Sequence, residues 1–452
     1  MTADKTMVLF GYDWDGIEFG RLAQRWPQLH AGFDLFSFPS NARLAWFDIE
    51  RFVALAALRA KLRGATGVVS NHEQFGALSA ALLAENMGWP GSSVDAVLAM
   101  QHKLHAREVL QRVAPEANVP YARLEADYGA PIPGGLTYPS FVKPVKAAFS
   151  VLAKTVRSRE ELYEHTRFSW QELWVIRHLV EPFEKIVRKR LPEAGTAHSL
   201  MLEDCLHGRQ YCFDGYCFEG RVKRLGIVDA IMYPGTDAFM RWEYPSHLPE
   251  SLQAQAEDIA ARFLAEVGFT HGLFNMEFVV DEHSGQVKVI EFNPRMAAQF
   301  SDLYARVDGL RLHEMALALS HGIDPATLPT DEPRAQCATS FVYRSFDESA
   351  QVHMPSAAQR RAFSAAHGDG LLLQFPKKSS EIQRDFKWLR SYRYGIMHLG
   401  GDDPGDLQQR CEHASALLGW PAPYVDHVID LPGVDAAAVT WPVVLGTENS
   451  TG

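Results

Sequence analysis

Cysteine is scarce in this chain: there are five in 452 residues, and no two form a CxxC pair. Such usage argues against disulfides and structural zinc and for a reduced, cytoplasmic protein. Long apolar runs are also missing. None approaches the ~20 residues that span a bilayer, and the opening Met1-Thr2-Ala3-Asp4-Lys5-Thr6 has neither the basic nor the apolar region of a signal peptide. A basic stripe is lacking too. Lys+Arg 44 against Asp+Glu 55 leaves a net charge of −11, whereas nucleic-acid binders need a positive surface. Small molecules are therefore the expected partners, with neither nucleic acid nor membrane. The histidines make no metal pattern. His102 and His105 stand three apart on an expected helix with no carboxylate or cysteine at ligand spacing, and read as solvated helix residues.

What is present is an ordinary globular balance, 47% apolar and 22% charged, in a chain long enough for two to four packed units. The pattern is α/β. Strands are expected at residues 6–11 and 67–70, with helices over 17–25 and 75–87, an alternation that implies a parallel sheet with helices on its faces. A charged amphipathic helix over 100–113 opens a second unit. Strands at 139–144 and 151–156 follow, then a capping box, Ser158-Arg159-Glu160-Glu161. Pro192-Glu193-Ala194-Gly195 reads as a flexible boundary. Beyond it come strands at 199–206 and 210–218 and a helix over 251–267 stopped by Gly268. After Pro329 the composition resets, and a strand at 395–399 with a helix over 406–418 indicates a last α/β unit. The expected boundaries are 1–96, 97–192, 193–330 and 331–435, with an unassigned tail at 436–452.

One hairpin carries chemistry. Phe274-Asn275-Met276-Glu277-Phe278-Val279-Val280 is an apolar strand interrupted by one acid, and Val287-Lys288-Val289-Ile290-Glu291-Phe292-Asn293 is its return. With a turn centred near Ser284, Glu277 faces Glu291 and Asn275 faces Asn293, with Cβ atoms about 4.5–5.5 Å apart across the strands. Glu291 and Asn293 share a face by the period of two. Two carboxylates that close raise each other's pKa, and a divalent cation removes the conflict. Oxygen ligands without histidine or thiolate suit magnesium, with manganese the alternative, and magnesium completes its shell with water and phosphates. Arg295 continues the alternation and can grip a phosphate or a carboxylate. On geometry alone, an edge hairpin whose acids pair with Arg or Lys remains the alternative.

Glu277 followed by Glu291-Phe292-Asn293-Pro294-Arg295 resembles the metal signature of the ATP-grasp superfamily, and the resemblance extends over roughly residues 7–418. It implies an ATP-grasp fold: an N-terminal α/β domain, a small lobe, a large lobe with the metal site, and the C-terminal unit. It also implies that Glu277, Glu291 and Asn293 bind magnesium bridging the phosphates of ATP. Lys103, in Gln101-His102-Lys103, is similar to the opening helix's phosphate-binding lysine, and Lys143, in Phe141-Val142-Lys143-Pro144, to the strand lysine at the α-phosphate and adenine N7. Leu202-Glu203-Asp204-Cys205-Leu206 resembles the hinge strand. Glu203 would then lie beside the adenine amino group, with backbone of Asp204 and Leu206 at the ring edge. Ser150 falls in the phosphate-covering loop, and Gln210 stands where many relatives have an acid on the ribose hydroxyls. Arg221, Lys223 and Arg224 are candidate phosphate or carboxylate contacts, with a solvated basic strand end as the alternative.

Three departures bear on the site. Lys146-Ala147-Ala148-Phe149-Ser150 replaces a glycine-rich cover, and alanine lacks glycine's positive φ range. Gln210 is an amide, so weaker nucleotide binding is expected. Met296-Ala297-Ala298-Gln299 replaces a glycine-rich stretch and narrows the substrate end. The implied reaction is phosphorylation of a carboxylate by ATP, then attack of an amine on the acyl phosphate, with Arg295 on the oxyanion and residues 143–154 as the lid. Among relatives the layout looks most like the L-amino-acid ligases and similar natural-product peptide ligases, for which a homodimer is expected. The rivals are a carboxylase of the biotin carboxylase type, a purine-pathway ligase and a nucleotide-binding regulator without turnover.

Overall fold

The apolar runs near the start of the chain pair as a parallel sheet because each crossover between them contains a helix. In the computed structural model, which describes residues 4–35, 40–124, 131–147, 152–427 and 429, these strands are β1 (Lys5–Leu9), β2 (Gln28–Ala31) and β3 (Ala65–Val69), in the order β2-β1-β3. Helices Asp13–Leu22 and Ile49–Arg63 make the crossovers. Beyond β3 the chain turns inward rather than out to solvent. Asn71, His72, Glu73 and Gln74 are all buried before helix Gly76–Met87 begins.

A second, antiparallel sheet holds β4 (Tyr121–Leu124), β5 (Ser140–Pro144), β6 (Lys154–Val156) and β7 (Leu200–Glu203), in the order β4-β7-β5-β6. Helix Trp170–Arg190 follows β6, opened by a Ser169–Glu172 capping box. Its Val180, Phe183, Ile186 and Val187 join the core of the first sheet, so this helix fastens the second unit to the first.

The third sheet is eight-stranded and antiparallel throughout. It comprises β8 (Gly208–Phe218), β9 (Arg221–Met232), β10 (Phe239–Tyr244), β11 (Gly272–Asp281), β12 (Val287–Asn293), β13 (Cys337–Ser345), β14 (Leu371–Gln374) and β15 (Tyr392–Gly401), in the order β12-β11-β8-β9-β10-β13-β15-β14. The segment after Pro329 thus continues this sheet through β13 rather than building one of its own. Helix Glu250–Glu266 covers one face, with the Phe263 ring stacked on Phe292 at 3.8 Å. Among the described residues no helix is long and apolar enough to cross a membrane.

Two expectations need correction. The single helix over 100–113 is two helices, Val94–Gln101 and Lys103–Val113, parted at His102. There the Lys103 N–H leaves the helical ladder for the Val145 carbonyl, and His102 Nδ1 caps the second helix by accepting the His105 N–H. His102 is therefore fully buried, not solvated, and burial pushes its imidazole down to about 4. Ser150, most of the 146–150 loop and the tail 436–452 lie outside the described residues.

Candidate active site

The β11–β12 hairpin sets two acids face to face. Its register pairs Asn275 with Asn293 and Glu277 with Glu291, as the alternation predicts, and a β-bulge follows Glu277. Burial, then the neighbouring Glu291 charge, pushes the Glu277 carboxyl well up. Burial acts on Glu291 in the same sense, but Lys103 and Lys143 outweigh it and hold that carboxyl low. The Glu291 Oε2 lies 3.0 Å from Lys103 Nζ, which also donates to the Ala147 carbonyl. Asn293 Nδ2 donates to Glu291 Oε1 and Asn275 Oδ1, each at 3.4 Å, which puts Asn293 on the acid-bearing face. Among the described residues no group of three or more His, Cys, Asp or Glu converges as a metal set. The protein's oxygens here are two carboxylates and an amide. That donor set fits magnesium, which takes few protein oxygens and fills its shell with phosphates and water, and a dication would relieve the charge conflict that raises Glu277.

A lattice of buried ion pairs surrounds the hairpin. Lys143 Nζ sits 2.8 Å from Glu203 Oε2, while Arg107 Nε donates to Glu203 Oε1 at 2.7 Å. Two cations thus keep Glu203 ionised against its burial, and desolvation depresses the Lys143 ammonium. Arg107 also donates to the carbonyls of Val289 (2.7 Å) and Ile290 (3.0 Å) on β12, the edge strand of the large sheet. The guanidinium therefore ties β7 to the acid-bearing strand. Arg295 Nη2 donates to Glu73 Oε2 at 2.7 Å, reaching the inward turn after β3. Its burial is outweighed by Glu73 and other anions, so it remains charged.

Behind the hairpin, Asp214 on β8 accepts from the Asn275 amide, the Ala297 N–H and the Tyr304 hydroxyl. Burial pushes Asp214 from 3.8 up to about 6 in spite of these donors. The folded state then holds a proton that the unfolded chain has released, so this group's stability contribution is lost as pH rises from about 4 to about 6. Asp214→Asn is expected to flatten that part of the melting-temperature profile; an unchanged slope relative to wild type would contradict the assignment.

The structure brings together some of the residues singled out in the sequence and leaves others apart. Glu277, Glu291, Asn293, Lys103, Lys143, Glu203 and Arg295 converge. Gln210 stands beside the acids, its Nε2 donating to Glu277 Oε2 at 2.9 Å. Asp204 and Leu206 lie in the β7–β8 connection, where the Asp204 N–H is held by the Pro120 carbonyl. Arg221, Lys223 and Arg224 stand toward the turn of the β8–β9 hairpin, and Arg224 pairs with Glu250 while Arg221 pairs with Glu219. They are a solvated strand end. Arg107, Glu73 and Asp214 were not foreseen. Arg107 lies one helical turn after Lys103, a spacing that could have flagged it, whereas nothing local marks Glu73.

Residues 136–302 match the ATP-grasp domain family. Carnosine synthase 1 of Gallus gallus is 26% identical over 271 residues, 57% of this chain, and the chain spans only 27% of that relative's length. An L-amino acid ligase from Bacillus licheniformis superposes with a TM-score of 0.66 at 13% identity, covering 92% of this chain and 98% of that one. An N5-carboxyaminoimidazole synthase from Aspergillus clavatus, solved with ADP and its ribonucleotide, gives 0.60 at 13% identity over 93% of this chain and all of that one. Likeness at such identity speaks for the fold alone. The chain carries an ATP-grasp domain, set within an ATP-grasp fold that runs through most of its length.

Proposed function

We propose that the protein is an ATP- and magnesium-dependent ligase that activates a carboxylate as its acyl phosphate and couples it to an amine. The products would be an amide or peptide, ADP and phosphate. The observation that carries this reading is the half-buried Glu277–Glu291 pair with Asn293, walled by Lys103, Lys143 and Arg295. When bound, the ion supplies charge neutralisation across the phosphates and ties them to the hairpin. Asn293 would turn its amide oxygen toward the ion, since its nitrogen now faces Glu291.

The side chains divide the remaining work. Lys103 and Lys143 orient the phosphates and spread their charge while a substrate carboxylate oxygen attacks the γ-phosphorus and its bond to ADP breaks. Glu203 receives the adenine amino group from a carboxylate already fixed by Arg107. Arg295, held by Glu73, stabilises the oxyanion as the amine adds to the acyl carbonyl and phosphate leaves. No nucleophilic side chain is needed. An amino acid as the activated acid accords with the ligase and synthase names among the similar proteins.

Incubation with ATP, magnesium and pooled amino acids tests this reading. ADP, phosphate and new peptide masses are expected. AMP with pyrophosphate would reject the acyl-phosphate route, and bicarbonate-dependent ADP release without peptide would move the protein to the carboxylases.

A further inference from the structure

Nearly every cation around the hairpin has a carboxylate partner: Lys103 has Glu291, Lys143 and Arg107 share Glu203, and Arg295 has Glu73. Lys146 does not. It is 2% exposed, yet among the described residues its Nζ makes one hydrogen bond, to the Glu73 carbonyl at 3.3 Å, and otherwise lies 5.0 Å from the centre of the Phe183 ring. An ammonium has three donors, and burying one with so few acceptors is costly. Three parts of the fold nevertheless converge to enclose it: the end of β5, the turn after β3, and helix Trp170–Arg190. Lys146 also lies three residues after Lys143, at the start of the loop whose alanines replace the usual glycines.

We propose that Lys146 is a further phosphate-binding residue, contacting the terminal phosphate of the nucleotide and then the phosphoryl group once transferred to the substrate. This rests on the ATP reading above. The phosphate supplies the counter-charge that Lys146 lacks among the described residues, and the side chain replaces grip lost with the glycines. Burial first, and then Lys103 and Arg295, disfavour the charged form, while Glu73 and Glu291 favour it; the balance is a pKa of about 7. Phosphate binding must therefore return a proton to Lys146 above neutrality.

Titration calorimetry of the full chain with magnesium and AMP, ADP or AMPPNP, a non-hydrolysable ATP analogue, separates the possibilities without needing the acid or the amine. Lys146→Met is expected to weaken AMPPNP by about tenfold or more, the scale of a charge-assisted hydrogen bond, and AMP by less than about twofold. Lys146→Arg should recover part of the loss. At pH 8 the wild type should take up more protons on binding AMPPNP than Lys146→Met, read from heats in buffers of different ionisation enthalpy. The variant's melting temperature without nucleotide should equal or exceed that of wild type, because methionine fills the space without a buried charge. Equal losses for AMP and AMPPNP with a lower melting temperature would make Lys146 a structural tie and overturn the proposal, as would unchanged AMPPNP affinity. If the wild type binds none of the three nucleotides, the ATP reading falls and the proposal with it.

Discussion

Glu291→Gln is expected to lower ATP turnover by about 10²–10³-fold or more, the scale on which metal-site and transition-state contacts act, while the protein stays folded. Glutamine keeps the volume and one acceptor for Lys103 Nζ, 3.0 Å away in the wild type. What disappears is the charge that Lys103 and Lys143 hold in its ionised form. The change also lifts part of the pressure on Glu277, whose carboxyl Glu291 pushes up, but one carboxylate then stands where two did, so the apparent magnesium affinity should fall. ADP release at increasing magnesium, with a thermal melt beside it, reads both effects. A variant with near-normal turnover at ordinary magnesium would remove Glu291 from the proposed metal site.

Arg107→Met should produce the largest loss of stability, about 3–5 kcal/mol, because breaking a buried ion pair leaves an uncompensated charge. Four partners lose the guanidinium at once: Glu203, the Asn118 amide oxygen and the carbonyls of Val289 and Ile290. Lys143 also approaches Glu203 and the Ile290 carbonyl, but a single ammonium cannot reproduce the guanidinium's fork. Arg107→Lys is accordingly expected to recover only a fraction. Chemical unfolding monitored by fluorescence checks this. A loss below about 1 kcal/mol would place Arg107 with surface pairs and refute its role as the tie between β7 and the hairpin.

Much of this site could be read from the chain because its key unit is local. The β11–β12 turn spans a few residues, so alternation alone fixes which acids face each other. The lysines followed from resemblance, not from periodicity. What escaped depends on distant parts of the chain. Glu73 and Arg295 are 222 positions apart, and Arg107 and Glu203 are 96 apart; no local pattern joins them. Helix Trp170–Arg190 was missed because Pro182 interrupts it, a residue that normally ends a helix, and because its apolar face answers to the N-terminal core rather than to its own neighbours. The break at His102 was hidden for a related reason. Apolar residues continue through it, and only the tertiary bond from Lys103 N–H to Val145 divides the run.

The continuity of the large sheet also constrains how this fold can be divided. β10 pairs with β13 from Arg241–Phe341 to Tyr244–Ala338. Excising everything after residue 330 would therefore bare a row of backbone donors and acceptors, an open template for self-association. The C-terminal segment is not a detachable appendage. An exchange of parts with a related protein would have to carry β8 through β15 together, since β11 pairs with β8 and β9 with β10, and any seam inside that span cuts a ladder and not a linker.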